Sequence, residues 1–349
     1  MPEKLGLDEL NLEAMRVTDV LGRPLRALRV SVTDRCNFRC PYCMPRDHFE
    51  GQHPFLDREE ILHFEEIERL VRLFVALGVV KVRLTGGEPL LRHDLPALVC
   101  RLRDIEGLRE IALTTNGSLL RDLAKPLREA GLDRITVSLD ALDPARFAAL
   151  SDSGIPVERV LGGLEAARKA GFGPIKLNCV LQRGLNEAEI LPLAEFAREQ
   201  GHLLRFIEFM DVGTGNNWRL ERVIPAAEVT RRVATRWPLE PIQKDHPNCV
   251  AQHWRYADGR GELGLIASVT EPFCAGCDRA RLSAEGRLYT CLFAQEGLDL
   301  KAFLRAGSSD KDLAAVVESR WRRREDRYSE LRSEAPVSSP KVEMFRMGG

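Results

Sequence analysis

The feature that most restricts the fold of this chain is an alternation of short β-rich runs with amphipathic helical stretches, sustained from residue 28 to about residue 208. Leu28–Thr33, Val80–Leu84, Glu110–Thr114, Arg134–Leu139, Ile175–Val180 and Leu203–Glu208 read as strands. Between the first two, Ile61, Phe64, Ile67, Leu70, Val71 and Phe74 recur at steps of three and four, the spacing of one helix face. Four helical stretches close on glycine just before the next strand, at Gly78, Gly131, Gly171 and Gly201. Glycine enters the left-handed cap conformation without strain, so these positions mark helix ends. Repeated β-α units imply a parallel sheet with right-handed crossovers. Six units fall two short of a closed eight-stranded barrel. The expected fold is α/β, an incomplete (βα)6 TIM-like barrel with a smaller C-terminal domain. An open doubly wound sheet fits the same alternation.

After about residue 212 the alternation lapses, and Pro, Gly and charged residues interrupt shorter segments. The expected division is an N-terminal extension (1–22), the partial barrel (23–212), a C-terminal domain (213–332) and a tail (333–349). Ser333–Pro340 has no apolar periodicity and reads as a flexible linker. Lys and Arg number 51 against 52 Asp and Glu, a net charge of −1, which argues against wrapping nucleic acid or binding an anionic membrane. The start, Met1-Pro2-Glu3-Lys4, lacks the apolar stretch of a signal peptide. The longest apolar run, Leu73–Val80, is eight residues, and a spanning helix needs about 20. The expectation is a cytoplasmic protein with neither nucleic acid nor membrane as partner.

Nine cysteines, an odd number, disfavour a disulfide framework. Six of them form two tight groups: Cys36, Cys40 and Cys43 as C-x3-C-x2-C, and Cys274, Cys277 and Cys291 as C-x2-C-x13-C. Clustered thiols in a reducing compartment read as metal or iron–sulfur ligands. Three thiolates cannot fill the four-ligand set of a four-iron cluster, so one iron stays open to a small molecule. A zinc site completed by His48 or His53 is the alternative for the first group, and one completed by Cys249 or His253 for the second. Cys100, Cys179 and Cys249 stand alone and read as buried small hydrophobes.

Cys36-x3-Cys40-x-Tyr42-Cys43, with Thr85-Gly86-Gly87-Glu88-Pro89 after the second strand, resembles the signature of the radical S-adenosylmethionine (SAM) enzymes. The resemblance implies a [4Fe-4S] cluster on the three cysteines, with the amino and carboxylate groups of SAM chelating the open iron. Reductive cleavage of SAM yields methionine and a 5′-deoxyadenosyl radical, which takes a hydrogen from the substrate. It also implies that Gly87 and Glu88 cradle the SAM amino group, glycine admitting a close carbonyl and the carboxylate balancing an ammonium. Ser138 and Met210 would contact SAM, and Tyr42 would lie near its adenine.

The stretch Val269–Leu282 and the later Cys291-Leu292-Phe293 resemble one family, the GTP 3′,8-cyclases of molybdenum cofactor biosynthesis. Arg29–Cys36, Arg83–Leu90, Thr114–Gly117, Thr136–Asp140 and Arg205–Met210 carry the same resemblance, which runs from about Arg23 to Gly349. It implies a second [4Fe-4S] cluster on Cys274, Cys277 and Cys291, with guanine at its open iron. Arg279 and Arg281, two apart, would meet the triphosphate with forked, permanently charged guanidiniums, joined by Arg29, Arg83, Thr114 and Lys176. Gly348-Gly349 would enter the active site, where residues without side chains can thread a narrow cavity. The implied reaction takes hydrogen from C3′ of GTP and closes C3′ onto C8, giving 3′,8-cyclo-7,8-dihydro-GTP. The implied partners are an electron donor, a downstream cyclic pyranopterin monophosphate synthase and a second copy of the chain in a homodimer. Two other readings are a radical SAM peptide modifier with an auxiliary cluster and a non-catalytic iron–sulfur redox protein.

Gly259-x-Gly261-x2-Gly264 fits G-x-G-x2-G but precedes a β-like run, so it reads as a hairpin turn. The basic stretch Arg320–Arg327 reads as a helix surface, with a contribution to the site as the alternative.

Overall fold

A computed structural model of the chain describes residues 17–49, 55–243, 250–332 and 341–348. Its strands are β1 (Ala27–Ser31), β2 (Lys81–Thr85), β3 (Glu110–Thr115), β4 (Arg134–Ser138), β5 (Lys176–Leu181), β6 (Leu203–Glu208), β7 (Leu239–Ile242), β8 (Gln252–Tyr256), β9 (Glu262–Ile266), β10 (Arg279–Leu282), β11 (Arg287–Tyr289) and β12 (Leu298–Asp299). The helices are α1 (Arg46–Phe49), α2 (Phe64–Ala76), α3 (Leu95–Arg103), α4 (Leu120–Glu129), α5 (Pro144–Ser151), α6 (Val157–Lys169), α7 (Ile190–Gln200), α8 (Ala226–Ala234), α9 (Leu300–Arg305), α10 (Asp310–Arg322) and α11 (Met344–Met347). The six strands read from the sequence are β1–β6, each within two residues at either end. The four cap glycines all take positive φ, from 68° at Gly201 to 110° at Gly78.

All twelve strands belong to one sheet, in the order β12-β11-β10-β1-β2-β3-β4-β5-β6-β9-β8-β7. β1 to β6 follow one another without reversal and pair in parallel. A doubly wound sheet reverses its order at a switch point; this one does not, and it is the incomplete TIM-like barrel that the alternation implied. Residues beyond 212 extend this sheet at both edges, β10 parallel to β1 and β9 parallel to β6. Antiparallel strands β11–β12 and β8–β7 then finish the two flanks.

The outer layer of helices buries one face each. On α2 that face is Ile67, Leu70, Val71, Leu73 and Phe74. Ile61 continues the periodicity but lies ahead of the helix, whose N-cap is His63, with the Glu66 carboxylate accepting from the His63 N–H at 2.7 Å. The strand residues that face the helices form the opposite wall of this core, with Leu28, Val30, Val82, Leu84, Ile111 and Leu113 fully buried. Among the described residues, no helix is long and apolar enough to cross a membrane.

Two single-residue expectations change. Cys179 is buried as expected, but Cys100 is exposed. It sits on α3 between the buried Val99 and Leu102 and points off the apolar stripe, a difference that a lone cysteine does not reveal. Cys249 lies outside the described residues. The basic stretch also splits: α10 ends at Arg322, with Arg320, Arg322 and Arg323 exposed, whereas Arg324 is 3% exposed. Gly259 and Gly261 lie in the β8–β9 hairpin turn, as expected, whereas Gly264 lies within β9, opposite His253.

Candidate active site

The first cysteine loop leaves the carboxyl end of β1. Its turn is closed by the Cys43 and Met44 N–H groups, both donating to the Cys40 carbonyl at 3.0 and 2.9 Å. Arg39 donates to the Cys36 carbonyl at 2.7 Å. The Tyr42 hydroxyl donates to Asp140 Oδ2 at 2.7 Å, and Asp140 Oδ1 in turn accepts from the Val180 N–H at 2.8 Å. Burial pushes the Asp140 carboxyl up to about 6, against these two hydrogen bonds, which favour its charge. This pins the loop across the ends of β4 and β5.

Gly86 and Gly87 have a packing reason to be glycine. A Cβ at Gly86 would lie 2.6 Å from the Thr33 carbonyl oxygen, and one at Gly87 would collide with that of Arg35. The two glycines therefore press backbone against backbone into the first cysteine loop, joined by the Gly87 N–H to Thr33 and Glu88 N–H to Arg35 bonds at 2.8 and 2.7 Å. The Glu88 carboxylate accepts from the Leu90 N–H, the Thr115 hydroxyl and the Asn116 N–H at 3.0, 2.7 and 2.7 Å. Burial raises it to about 7.

The second cysteine group sits on a short turn, Cys274–Gly276, leading into β10, with Cys291 beyond β11. Three residues that no motif singled out hold it. Arg23 donates to the carbonyls of Cys274 and Asp326 at 2.9 and 2.7 Å. Arg324 donates to the Cys277 carbonyl at 2.7 Å. Asp19, buried, pairs with Arg23 at 2.6 Å and with Arg324 at 3.3 Å. No local signal marks their meeting, since Asp19 and Arg23 lie about 300 residues from Arg324, which sits in the basic stretch read as a helix surface.

The thiols differ in readiness to bind metal, which needs the thiolate. Burial pushes Cys36 and Cys291 up to about 12, and likewise raises Cys40 and Cys43 well above the ordinary thiol range. Burial acts on Cys277 too, but Arg279 and Arg324 outweigh it and hold the thiol down at about 6.

Both groups open onto one cavity of about 310 Å³. Of the residues expected at the site, Tyr42, Gly87, Glu88, Ser138 and Met210 line it, as do Arg29, Arg83, Thr114, Arg279 and Arg281. The register explains the arginines. Arg29 pairs with Arg281 on one side and Arg83 on the other, so three guanidiniums are direct neighbours across β10, β1 and β2. Like charges directly opposed destabilise a sheet. Arg29 is held well below its ordinary value, first by burial and then by Arg281, Arg279 and Arg83; Arg83 and Arg281 are lowered to about 10 by burial. The buried Nε of Arg279 has no hydrogen-bond partner among the described residues. Lys176 lies at the floor rather than in the lining, held down to about 7 by burial and by Arg205, Arg134, Lys81 and Arg83. Arg205, which was not singled out, lines the cavity, and Gly264 leaves the room it occupies. Gly348 has a φ of 73°, and its carbonyl accepts from Arg281. Gly349 lies outside the described residues.

Among the described residues, no three His, Cys, Asp or Glu side chains converge on a point as a single ion requires. A four-iron cluster asks for something wider, one thiolate per corner. His253, the alternative zinc ligand, sits on β8 with Nδ1 3.7 Å from Glu262, and His48 and His53 are outside the described side chains.

Fold and site together define a radical SAM protein: residues 30–197 match the Radical SAM superfamily, and residues 202–330 match Molybdenum Cofactor Synthesis C. The chain is 54% identical to a GTP 3′,8-cyclase of Acidothermus cellulolyticus, covering 91% of this chain and 89% of that one. It is 52% identical to one of Xanthomonas campestris (97% and 99%) and 41% identical to one of Staphylococcus aureus (96% and 99%). The chain belongs to the GTP 3′,8-cyclase family. Among solved structures, Streptococcus suis SuiB bound to S-adenosylmethionine shares the fold, with a TM-score of 0.60 at 15% identity over 85% of this chain and 69% of that one. The cofactors of the family are two [4Fe-4S] clusters and SAM.

Proposed function

We propose that the two cysteine triads and the arginine row act on one GTP molecule held between them, closing its C3′ onto C8. The observation that carries this reading is the shared chamber: both open-cornered thiolate sets and the mutually repelling guanidiniums line one cavity. Cys36, Cys40 and Cys43 would hold one cluster, and Cys274, Cys277 and Cys291 the other. When bound, the first cluster and SAM supply a 5′-deoxyadenosyl radical that can take the C3′ hydrogen.

The protein's own part is orientation and charge. Gly87, Glu88, Ser138 and Met210 form the wall for SAM, with Tyr42 fixed by Asp140 beside it. Arg279, Arg281, Arg29 and Arg83 receive the triphosphate, whose negative charge relieves their mutual repulsion. Thr114, whose hydroxyl accepts from Arg83 at 3.1 Å, holds one of these forks, and Lys176 adds a cation from the floor. Pinning sugar, base and phosphates at three places makes the ring closure intramolecular and oriented. Gly348, whose carbonyl accepts from Arg281, brings the tail to the arginine row. The reading carries with it a cytoplasmic location, an external electron donor, a homodimer and a downstream cyclic pyranopterin monophosphate synthase.

The test is anaerobic reconstitution followed by SAM, dithionite and GTP. The expected result is methionine, 5′-deoxyadenosine and a cyclised product isomeric with GTP. An iron–sulfur carrier would release no 5′-deoxyadenosine, and that outcome would end the reading.

A further inference from the structure

The C-terminal tail is tied down at two ends. At its tip, the Gly348 carbonyl accepts from Arg281. At its entry, Lys341 Nζ donates to the Asp211 carbonyl at 2.9 Å, to Asp211 Oδ2 at 2.8 Å and to the Tyr328 hydroxyl at 2.6 Å. Asp211 Oδ2 also accepts from the Tyr328 hydroxyl, and Oδ1 accepts from Arg332 Nε at 2.9 Å. Two residues on, the Glu343 carboxylate accepts from the N–H and hydroxyl of Thr214 at 2.9 and 2.6 Å.

Asp211 and Thr214, which hold the entry, lie in one loop just past β6. That loop is stiff. The Asn216 amide donates to the carbonyls of Met210 and Val212 at 3.0 and 2.9 Å, and Trp218 Nε1 donates to the Phe209 carbonyl at 2.8 Å. The same cluster reaches the second cysteine group. Tyr328 stacks on Phe293 with centroids 4.3 Å apart, two residues from Cys291, and Arg332 and Lys341 lie within 6 Å of the Phe293 ring centroid.

We propose that Asp211 is a positioning residue: its ion pair with Lys341 fixes where the tail enters, so that the tail's last residues meet Arg281 in the register that ring closure needs. This rests on the cyclase reading above. Asp211 touches neither end of the chemistry; it acts through the tail. The path between the two ties is short, and most of it is α11, whose four residues rise only about 6 Å. A displacement at the entry is therefore passed to the tip rather than absorbed. Loss of the tie would leave radical generation intact and separate it from product formation.

The experiment compares the reconstituted full-length chain with Lys341→Met and Lys341→Arg. Two quantities are read: cyclised product per 5′-deoxyadenosine, and the rate at which carboxypeptidase releases C-terminal residues from the folded chain. In Lys341→Met, tail release should accelerate and product per 5′-deoxyadenosine should fall by about tenfold to a hundredfold, the loss a misplaced group causes. Lys341→Arg, which keeps the charge, should restore both. Unchanged tail release in Lys341→Met would overturn the anchor. Faster release with unchanged coupling would overturn the positioning role. If the parent chain makes no cyclised product, the cyclase reading fails by itself, while tail release still decides the anchor. Asp211→Asn, which keeps the shape and weakens the charge, should fall between parent and Lys341→Met in both readouts; parent-like behaviour would assign the tie to Tyr328 and overturn the proposal.

Discussion

At the scale of single residues, the site is a set of cations kept close together against their mutual repulsion. Arg281 is 4% exposed and is bonded to the tail, with Arg29 beside it in the sheet. Removing one charge-assisted bond costs about 1.5–3 kcal/mol, so Arg281→Ala should lower kcat/KM for GTP by roughly tenfold to a hundredfold. Iron content should stay at the parent's level, because this side chain bonds to the tail and not to a cysteine; equal turnover would remove Arg281 from the triphosphate site. Lys176 carries a pH prediction. Its folded-state value is lowered to about 7, by burial first. Between there and its ordinary value of 10.5, the folded chain binds fewer protons than the unfolded one, so this group's contribution to stability rises with pH across that window. A bound triphosphate favours the protonated form. GTP affinity should therefore weaken as pH rises through about 7, with proton uptake on binding, and Lys176→Arg should flatten the dependence. Calorimetry in two buffers of different ionisation heat measures the uptake, and its absence would place Lys176 away from the phosphates. At the tail, Gly348→Ala meets both a positive φ and a collision with Thr85 Oγ1, so the tip should leave Arg281 and cyclised product should fall, as read by product analysis. Thr85→Ala should not rescue it, because the backbone strain remains.

At the scale of elements, Glu208 at the end of β6 holds three segments together. Its carboxylate accepts from the N–H groups of Ala226, Val269 and Thr270 at 2.9, 2.8 and 2.8 Å, and from the Thr270 hydroxyl. These tie the start of α8, and the strand exit that leads to Cys274, to the barrel. Glu208→Gln turns an acceptor into an amide donor facing buried donors. It should cost about 1–3 kcal/mol, seen as a lower urea midpoint, and should lower iron loading at the second group. Most of the element level could be read in the chain itself: β-branched runs, helix faces and cap glycines are local patterns with local causes. What could not be read is partnership. β10 begins at Arg279, only two residues past Cys277, yet pairs with β1, some 250 positions earlier. Nothing local in Arg279–Leu282 names that neighbour. The exposure of Cys100 and the burial of Arg324 escaped for the same reason, since each depends on which face another element covers.

At the scale of the whole molecule, the two triads sit on separate loops, carried by the paired strands β1 and β10, and open onto one chamber. Cys274→Ser should lower iron from about eight to about four per chain, preserve 5′-deoxyadenosine formation and abolish cyclised product. Unchanged product would make the second triad structural. Asp19 and Arg23, ahead of β1, and Arg324, just past α10, close a buried charge set around the second turn. The chain by itself determined its six βα units, its two thiolate triads and the glycine pair beside the first, because period, spacing and backbone freedom are properties of neighbouring residues. Only the tertiary structure decided that three arginines from separate strands would stand side by side, that both triads would open onto one cavity, and that Asp211 would grip the tail. Those relations come from strand register and from contacts hundreds of residues apart, and no local energy term encodes them.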